Sequence, residues 1–248
     1  MAHYHIHPIV TGTKIFDKTM MTYQHGYGQQ YTIPIYSWYL EGGDLSILVD
    51  TGELSPIQSE DREKAIGGRI FTLEDGLAPY GLKPEDIDMV IHTHLHNDHC
   101  ENDYKCVNAQ IFVRPEELEA VHNPHPLDFR YLEDFILDVE ENGQIRVVSE
   151  DAEITAGVRV LHTPAHSPGG LSVAVNTNEG TAVITGFCTI DENFYPPREI
   201  RAMEMDVIPP GTHVNAYEAY DILVCVKKMA DILLPLHEPR FAGIDTIG

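Results

Sequence analysis

The chain has 248 residues, with 39 Asp or Glu against 16 Lys or Arg, a formal charge of −23. A charge of this sign repels phosphate backbones and anionic lipid surfaces at long range, so nucleic acid and membrane partners are excluded from the expected set. With 43% hydrophobic residues there is enough apolar material for a packed core, which excludes intrinsic disorder as the main state and fits one domain over 1–248.

The N-terminal segment MAHYHIHPIVTGTKIFDK lacks the basic start and apolar run of a secretory signal, so a cytoplasmic protein is expected. Within it His3, His5 and His7 alternate without a nearby acid or thiol, the pattern of an exposed edge strand. Tyr31 to Leu40, rich in Ile, Tyr and Trp, and Leu45 to Val49 flank a Gly42-Gly43-Asp44 turn and predict a hairpin that ends at Asp50-Thr51-Gly52. A polar stretch from Glu53 to Gly68 follows. A helix is expected from Leu73 to Tyr80, closed by Gly81, and then a buried strand Met89-Val90-Ile91. Gln110 to Val113 is read as a strand, and Pro115 to Val121 as a helix with proline in its first turn.

From about 122 to 143, Phe129, Tyr131, Leu132, Phe135 and Ile136 fall at roughly helical spacing between prolines and acids. This segment is expected to be a helical insertion, either overhanging a site or packed on the core as an amphipathic helix. Strands are then expected over Ile145 to Val148, Val158 to His162, Leu171 to Val175 and Ala182 to Thr185. A helix from about His213 to Met229 carries Lys227 and Lys228 in its last turn, where they suit the helix dipole. A final strand Ile232-Leu233-Leu234 leads to His237. The four cysteines, Cys100, Cys106, Cys188 and Cys225, include no C-x-x-C pair and are expected to be reduced.

The chemistry concentrates after the strand Met89-Val90-Ile91, in His94-Leu95-His96-Asn97-Asp98-His99. In an extended segment His94 and His96 project from the same side, and Asp98 and His99 add a carboxylate and a third imidazole as the chain turns. Clustering these groups without a cation has no evident energetic return. Imidazole with carboxylate suits zinc, iron or manganese, with zinc and iron the best fit. His92 is in phase with this set.

This H-x-H-x-D-H segment resembles the signature of the metallo-β-lactamase superfamily of metal-dependent hydrolases. The Asp50-Thr51-Gly52 strand end, His166 in Thr163-Pro164-Ala165-His166-Ser167-Pro168-Gly169, and His237 after the last strand are similar to its other motifs, in the family's order. The resemblance implies a four-layer αββα sandwich, an α/β (α+β) fold. It implies two divalent metal ions, zinc first: His94, His96 and His166 on one, Asp98, His99 and His237 on the other, with Asp50 behind them as support and His92, just before the motif, as a packed or supporting residue. Where the family commonly carries a bridging aspartate this chain has Phe187, so Cys188 is expected as a ligand, with Asp191 as the competing candidate.

By the same resemblance the expected reaction is opening of a lactone or cleavage of an ester-like bond by a metal-bound hydroxide, with Asp98 also orienting the water or passing on its proton. Size and the H-L-H-x-D-H form are most similar to the branch that opens N-acyl homoserine lactones. That branch usually has a tyrosine three residues after the aspartate that helps hold the substrate carbonyl; Ile190 stands there, with Tyr195 the nearest phenol. Tyr195 and Phe129 are the expected contacts of a partly apolar small-molecule substrate. The competing readings are an iron-dependent oxidoreductase of the same fold, similar to persulfide dioxygenases, and a noncatalytic metal-binding protein. A homodimer is the expected assembly.

Overall fold

The computed structural model describes residues 2–248. One sheet has six strands in sequential order: β1 (His5–Asp17), β2 (Gln30–Glu41), β3 (Ile47–Val49), β4 (Met89–Ile91), β5 (Gln110–Val113) and β6 (Ile145–Val147). It is antiparallel from β1 to β3 and parallel from β3 to β6. A second sheet of five is built from β7 (Ala152–Thr155), β8 (Val158–His162), β9 (Leu171–Thr177), β10 (Gly180–Ile184) and β11 (Ile232–Leu234), in the spatial order β11-β10-β9-β8-β7. Only β10 and β11 pair in parallel there.

The period of two along each strand sorts side chains into layers. Ile47 and Val49 of β3 and Met89 and Ile91 of β4 meet Val158, Val160, Val173, Ala182 and Ile184 of the second sheet in the core between the sheets. Leu48 and Val90 point the opposite way, onto Leu73, Leu77 and Val121 from the covering helices. On the far side Val183 and Leu233 pack against Ala219, Leu223 and Val226 of the Ala216–Met229 helix. Helix, sheet, sheet and helix therefore stack as four layers, as expected. No helix is long and apolar enough to cross a membrane among the described residues.

Most predicted elements stand within a few residues of their expected bounds, and the differences have local causes. The His3, His5, His7 segment enters β1, thirteen residues long and at the sheet edge. His5 is exposed, but His7 is buried against Tyr39 and Tyr80, with its Nε2 3.0 Å from Glu41. That acid faces His7 only across the β1–β2 ladder, a pairing no local pattern announces. Inside the polar stretch, Glu60–Ile66 is helical, with the Ser59 side chain accepting the Arg62 N–H and Gly67 at φ 73° ending it. The last long helix begins at Ala216, where Asn215 caps it.

The segment expected as a helical insertion is mostly irregular. Pro124 and Pro126 each remove a backbone donor and disfavour helix in the residue before them, so regular structure returns only as a turn at Glu133–Phe135 and a short helix Leu137–Glu141. Its far end is tied down by His122, whose Nδ1 lies 2.9 Å from Glu133 and Nε2 3.0 Å from Glu140. Hydrogen bonds to these two carboxylates raise the imidazole's pKa above its ordinary value. A raised folded pKa gives stability that is complete below the unfolded value and is lost as pH rises through the folded one. His122→Ala should therefore lower the melting temperature at about pH 6 and change it little at about pH 9; equal losses at both would show that charge has no part in the tether.

Candidate metal centre

Several parallel strands of each sheet deliver their following loops to one edge: Asp50 after β3, His94 to His99 after β4, His166 after β8, Cys188 after β10 and His237 after β11. The Asp50-Thr51-Gly52 turn shapes the floor. Asp50 has φ 60° and Gly52 φ 74°, the left-handed region that costs a residue with a Cβ. At Gly52 a Cβ would stand 1.7 Å from the Thr11 hydroxyl oxygen, so only glycine fits. The turn aims the buried Asp50 carboxylate back under the motif, where it accepts the Thr93 N–H at 2.8 Å, the Thr93 hydroxyl at 2.7 Å and His99 Nδ1–H at 2.8 Å.

Burial would push Asp50 up, but His99 and His92 outweigh it and hold the carboxyl down at about 2. Behind it lies His92, whose Nε2 is 2.8 Å from Asp103 and whose Nδ1 is 3.4 Å from Asp50. Burial lowers this imidazole's pKa, and the two carboxylates more than offset that, raising it to about 10. His92 and Asp50 are thus supporting groups.

His94, His96 and His166 are buried and each offers a nitrogen within 4.8 Å of the others. Their outward nitrogens are already committed. His94 Nδ1 lies 3.0 Å from the Thr93 hydroxyl, whose own proton goes to Asp50; His96 Nε2 is 3.2 Å from Asp128; His166 Nδ1 donates to the Thr212 carbonyl at 2.6 Å. A ring that donates outward keeps its lone pair on the inner nitrogen, the tautomer that a metal ligand needs. Burial, followed by the crowding of neighbouring imidazoles, holds His94 and His166 well below the ordinary histidine range and hence neutral. Neutral imidazoles with converging lone pairs fit a divalent metal, and the donor at their edge, Arg130 Nη1, stands 3.4 Å from His166 Nε2.

Asp98, His99 and His237 stand beside this triad. The His99 ring lies 4.2 Å from that of His94 and 5.4 Å from that of His237, and Asp98 Oδ1 is 4.0 Å from His99 Nε2. His237 repeats the arrangement, with Nδ1 donating to the Pro34 carbonyl at 2.9 Å. Burial raises Asp98, and His99, Lys14 and His237 together outweigh it, keeping the carboxyl below its usual range.

All of these ligand candidates, together with Cys188, line one cavity of about 430 Å³ whose apolar walls include Phe16, Met20, Ile33 and Leu132. Cys188 has its Sγ 3.6 Å from Met21 Sδ, and burial pushes the thiol up to about 12. Asp191 faces away, accepting from Arg240 Nε at 2.6 Å. Phe187 is packed with Val183 and Phe194 behind the second sheet. Phe129 borders the cavity, with its side chain largely exposed. Tyr195 does not: it lines a separate depression with Tyr31 and Glu238, beneath the Lys227 ammonium.

The structure also brings in residues that sequence reasoning missed. Glu117, in the Pro115–His122 helix, is buried. Its carboxylate accepts the N–H of Leu95 at 2.9 Å, the N–H of Gly169 at 2.8 Å and the Tyr131 hydroxyl at 3.0 Å. One side chain thereby joins the loop of His94 and His96, the loop of His166, and the insertion. Asp128 carries His96 and is itself gripped by Arg130, with Nε at 2.7 Å and Nη2 at 2.8 Å. No spacing marks Glu117, which in sequence looks like one acid among several on a solvated helix.

Comparison with known proteins agrees with this geometry. Residues 31–186 match the metallo-beta-lactamase superfamily. An N-acyl homoserine lactonase of Bacillus sp is 31% identical over 179 residues, which cover 67% of each chain. The solved structure of a quorum-quenching N-acyl homoserine lactone hydrolase is 25% identical, covers 96% of this chain and 93% of its own, and superposes with a TM-score of 0.72. The dizinc quorum-quenching lactonase AidC, at 13% identity, shares the fold with a TM-score of 0.67 over 96% of this chain and 91% of its own. On the match over residues 31–186 and the 31% identity to that lactonase, this chain belongs to the metallo-beta-lactamase superfamily.

Proposed function

We propose that the protein is a metal-dependent hydrolase that opens a lactone or cleaves an ester-like bond in a small, partly apolar substrate. The observation that carries this reading is the common polarity of five imidazoles: His94, His96, His99, His166 and His237 each have one nitrogen tied outward and the other left for the cavity. His94, His96 and His166 would hold one divalent ion and Asp98, His99 and His237 a second, zinc in both. Cys188 would take part in place of the carboxylate that Phe187 displaces, since a thiol is deprotonated on binding such an ion. Divalent metal at this position supplies Lewis acidity and a water that is nucleophilic near neutral pH.

The chain's own groups supply the rest. Asp98, held ionised, is the acceptor for a proton released when water attacks a carbonyl and can return it to the leaving alkoxide. Asp50 fixes the His99 tautomer and Asp128 that of His96. Phe16, Met20, Ile33 and Leu132 give an apolar wall on which an acyl or ring portion is desolvated. The similarity to N-acyl homoserine lactonases makes those lactones the first substrates to try.

The test pairs metal content per chain, for wild type and Cys188→Ala purified without added metal, with acid release from a panel of N-acyl homoserine lactones, simple lactones and aryl esters. Close to two metals in wild type, fewer in the variant, and acid release from at least one lactone or ester are expected. A wild-type chain that carries metal yet releases acid from none of them overturns the reading.

A further inference from the structure

We infer that Arg130 is the residue that holds the carbonyl or carboxylate oxygen of the substrate, in the role for which the sequence offers no tyrosine. The inference rests on the metal-hydrolase reading of the His94, His96 and His166 cluster. Its starting point is what the guanidinium leaves unused. Nε and Nη2 are both spent on Asp128, at 2.7 and 2.8 Å, whereas Nη1 meets no carboxylate and stands 3.4 Å from His166 Nε2. That imidazole nitrogen is the one left inward by the Thr212 contact. Once its lone pair is given to a metal, the Nη1 protons have no acceptor on the chain, and they face the space next to the ligand cluster.

Two further observations point the same way. Arg130 is fixed although it sits in the irregular insertion: its carbonyl accepts the Asn97 N–H at 2.9 Å inside the metal motif. The next residue, Tyr131, is anchored on Glu117, and its ring centroid is 4.6 Å from that of His96. The side chain is therefore positioned from both ends before any substrate arrives, which is what a donor to a developing charge requires. Charge gives the second argument. Asp128 takes the Nε and Nη2 donors of the guanidinium, which leaves the Nη1 edge beside the cluster as the place where an oxygen of negative character is held by a charge-assisted hydrogen bond. Lys14, the other cation bordering the cavity, already has its partner in Glu53. The acceptor that fits Nη1 is thus the scissile carbonyl oxygen, and after hydrolysis one oxygen of the product carboxylate.

Arg130 also borders a second, larger cavity of about 1110 Å³ that shares His166 and Thr212 with the first and is walled by Leu127 and Val214. A substrate oxygen held at Nη1 sits where the two cavities adjoin, so groups on either side of the carbonyl have room to extend in opposite directions.

The experiment is calorimetric titration of the metal-loaded protein with hexanoate and, as a neutral counterpart of equal length, hexanamide. Metal content and thermal melting are recorded for every variant. Arg130→Ala and Arg130→Met should keep the wild-type metal content and bind hexanoate about ten- to a hundredfold more weakly, the loss expected for one charge-assisted hydrogen bond. Their hexanamide affinity should change much less, a selectivity that a merely structural role for Arg130 would not produce. If the alanine variant does not fold, the methionine variant, which keeps most of the stem, gives the answer. Wild-type affinity for hexanoate in a folded variant overturns the inference, as does a wild-type protein that does not bind hexanoate. The outcome is separable from that for the proposed function: carboxylate selectivity that depends on Arg130 can occur without lactone hydrolysis, and hydrolysis can occur without it.

Discussion

His166→Ala is expected to remove one of the two metals and most of the hydrolysis. The residue offers one of three nitrogens within 4.8 Å, and its two partners follow a strand of the other sheet. The variant leaves two imidazoles, His94 and His96, whose inward lone pairs no longer complete a three-ligand set. If the metal contributes several kcal/mol to the barrier, kcat/KM should fall by about a thousandfold or more. Metal per chain, measured on protein purified without added metal, should fall by about one, while His3→Ala, an exposed histidine remote from the cluster, should leave both unchanged. Hydrolysis that persists in His166→Ala at wild-type metal content would remove the cluster from the mechanism.

The second large effect is on stability and comes from Glu117→Ala. The carboxylate satisfies two backbone N–H groups and a tyrosine hydroxyl in a buried setting. Removing it leaves three donors without a partner, at about 1–3 kcal/mol each, so a loss of about 3–9 kcal/mol is expected. That is a large part of the 5–15 kcal/mol that typically holds a domain together. Urea unfolding of the metal-free protein reads this directly as a lower midpoint. Glu117→Gln, which keeps an acceptor but turns an amide toward one of the donors, should fall between the two. An alanine variant with the wild-type midpoint would mean that the three donors find other partners.

The parts of this molecule legible in sequence are those whose physics is local. Short apolar strands such as Met89-Val90-Ile91 declare their two faces by parity, and His94-Leu95-His96-Asn97-Asp98-His99 places its donors through the geometry of one strand end. Asp50 was readable as a supporting group through the resemblance of Asp50-Thr51-Gly52 to a family motif. What escaped is settled by long-range pairing. The partner of His7 is Glu41 across a ladder, and the burial of Glu117 depends on loops 22 and 52 residues away. Tyr195 was chosen for nearness in sequence to the missing tyrosine, but the short helix Asp191–Phe194 turns the chain so that it faces another depression. Arg130 carried no spacing signal at all, since its orientation is decided by Asp128 and by the Asn97 amide.

Drawing donors from both sheets has a consequence for how the protein responds to distant change. His94, His96 and His99 ride on the first sheet, and His166 and His237 on the second, and what keeps the two sets in register is the apolar layer of Trp38, Val160, Val173 and Ile184 between them. Any loosening of that layer lets the two sheets creep against one another, and the coordination geometry at the rim feels the creep before the fold gives way. Metal affinity would thus act as a strain gauge for the whole sandwich, since the interior sets alignment as well as stability.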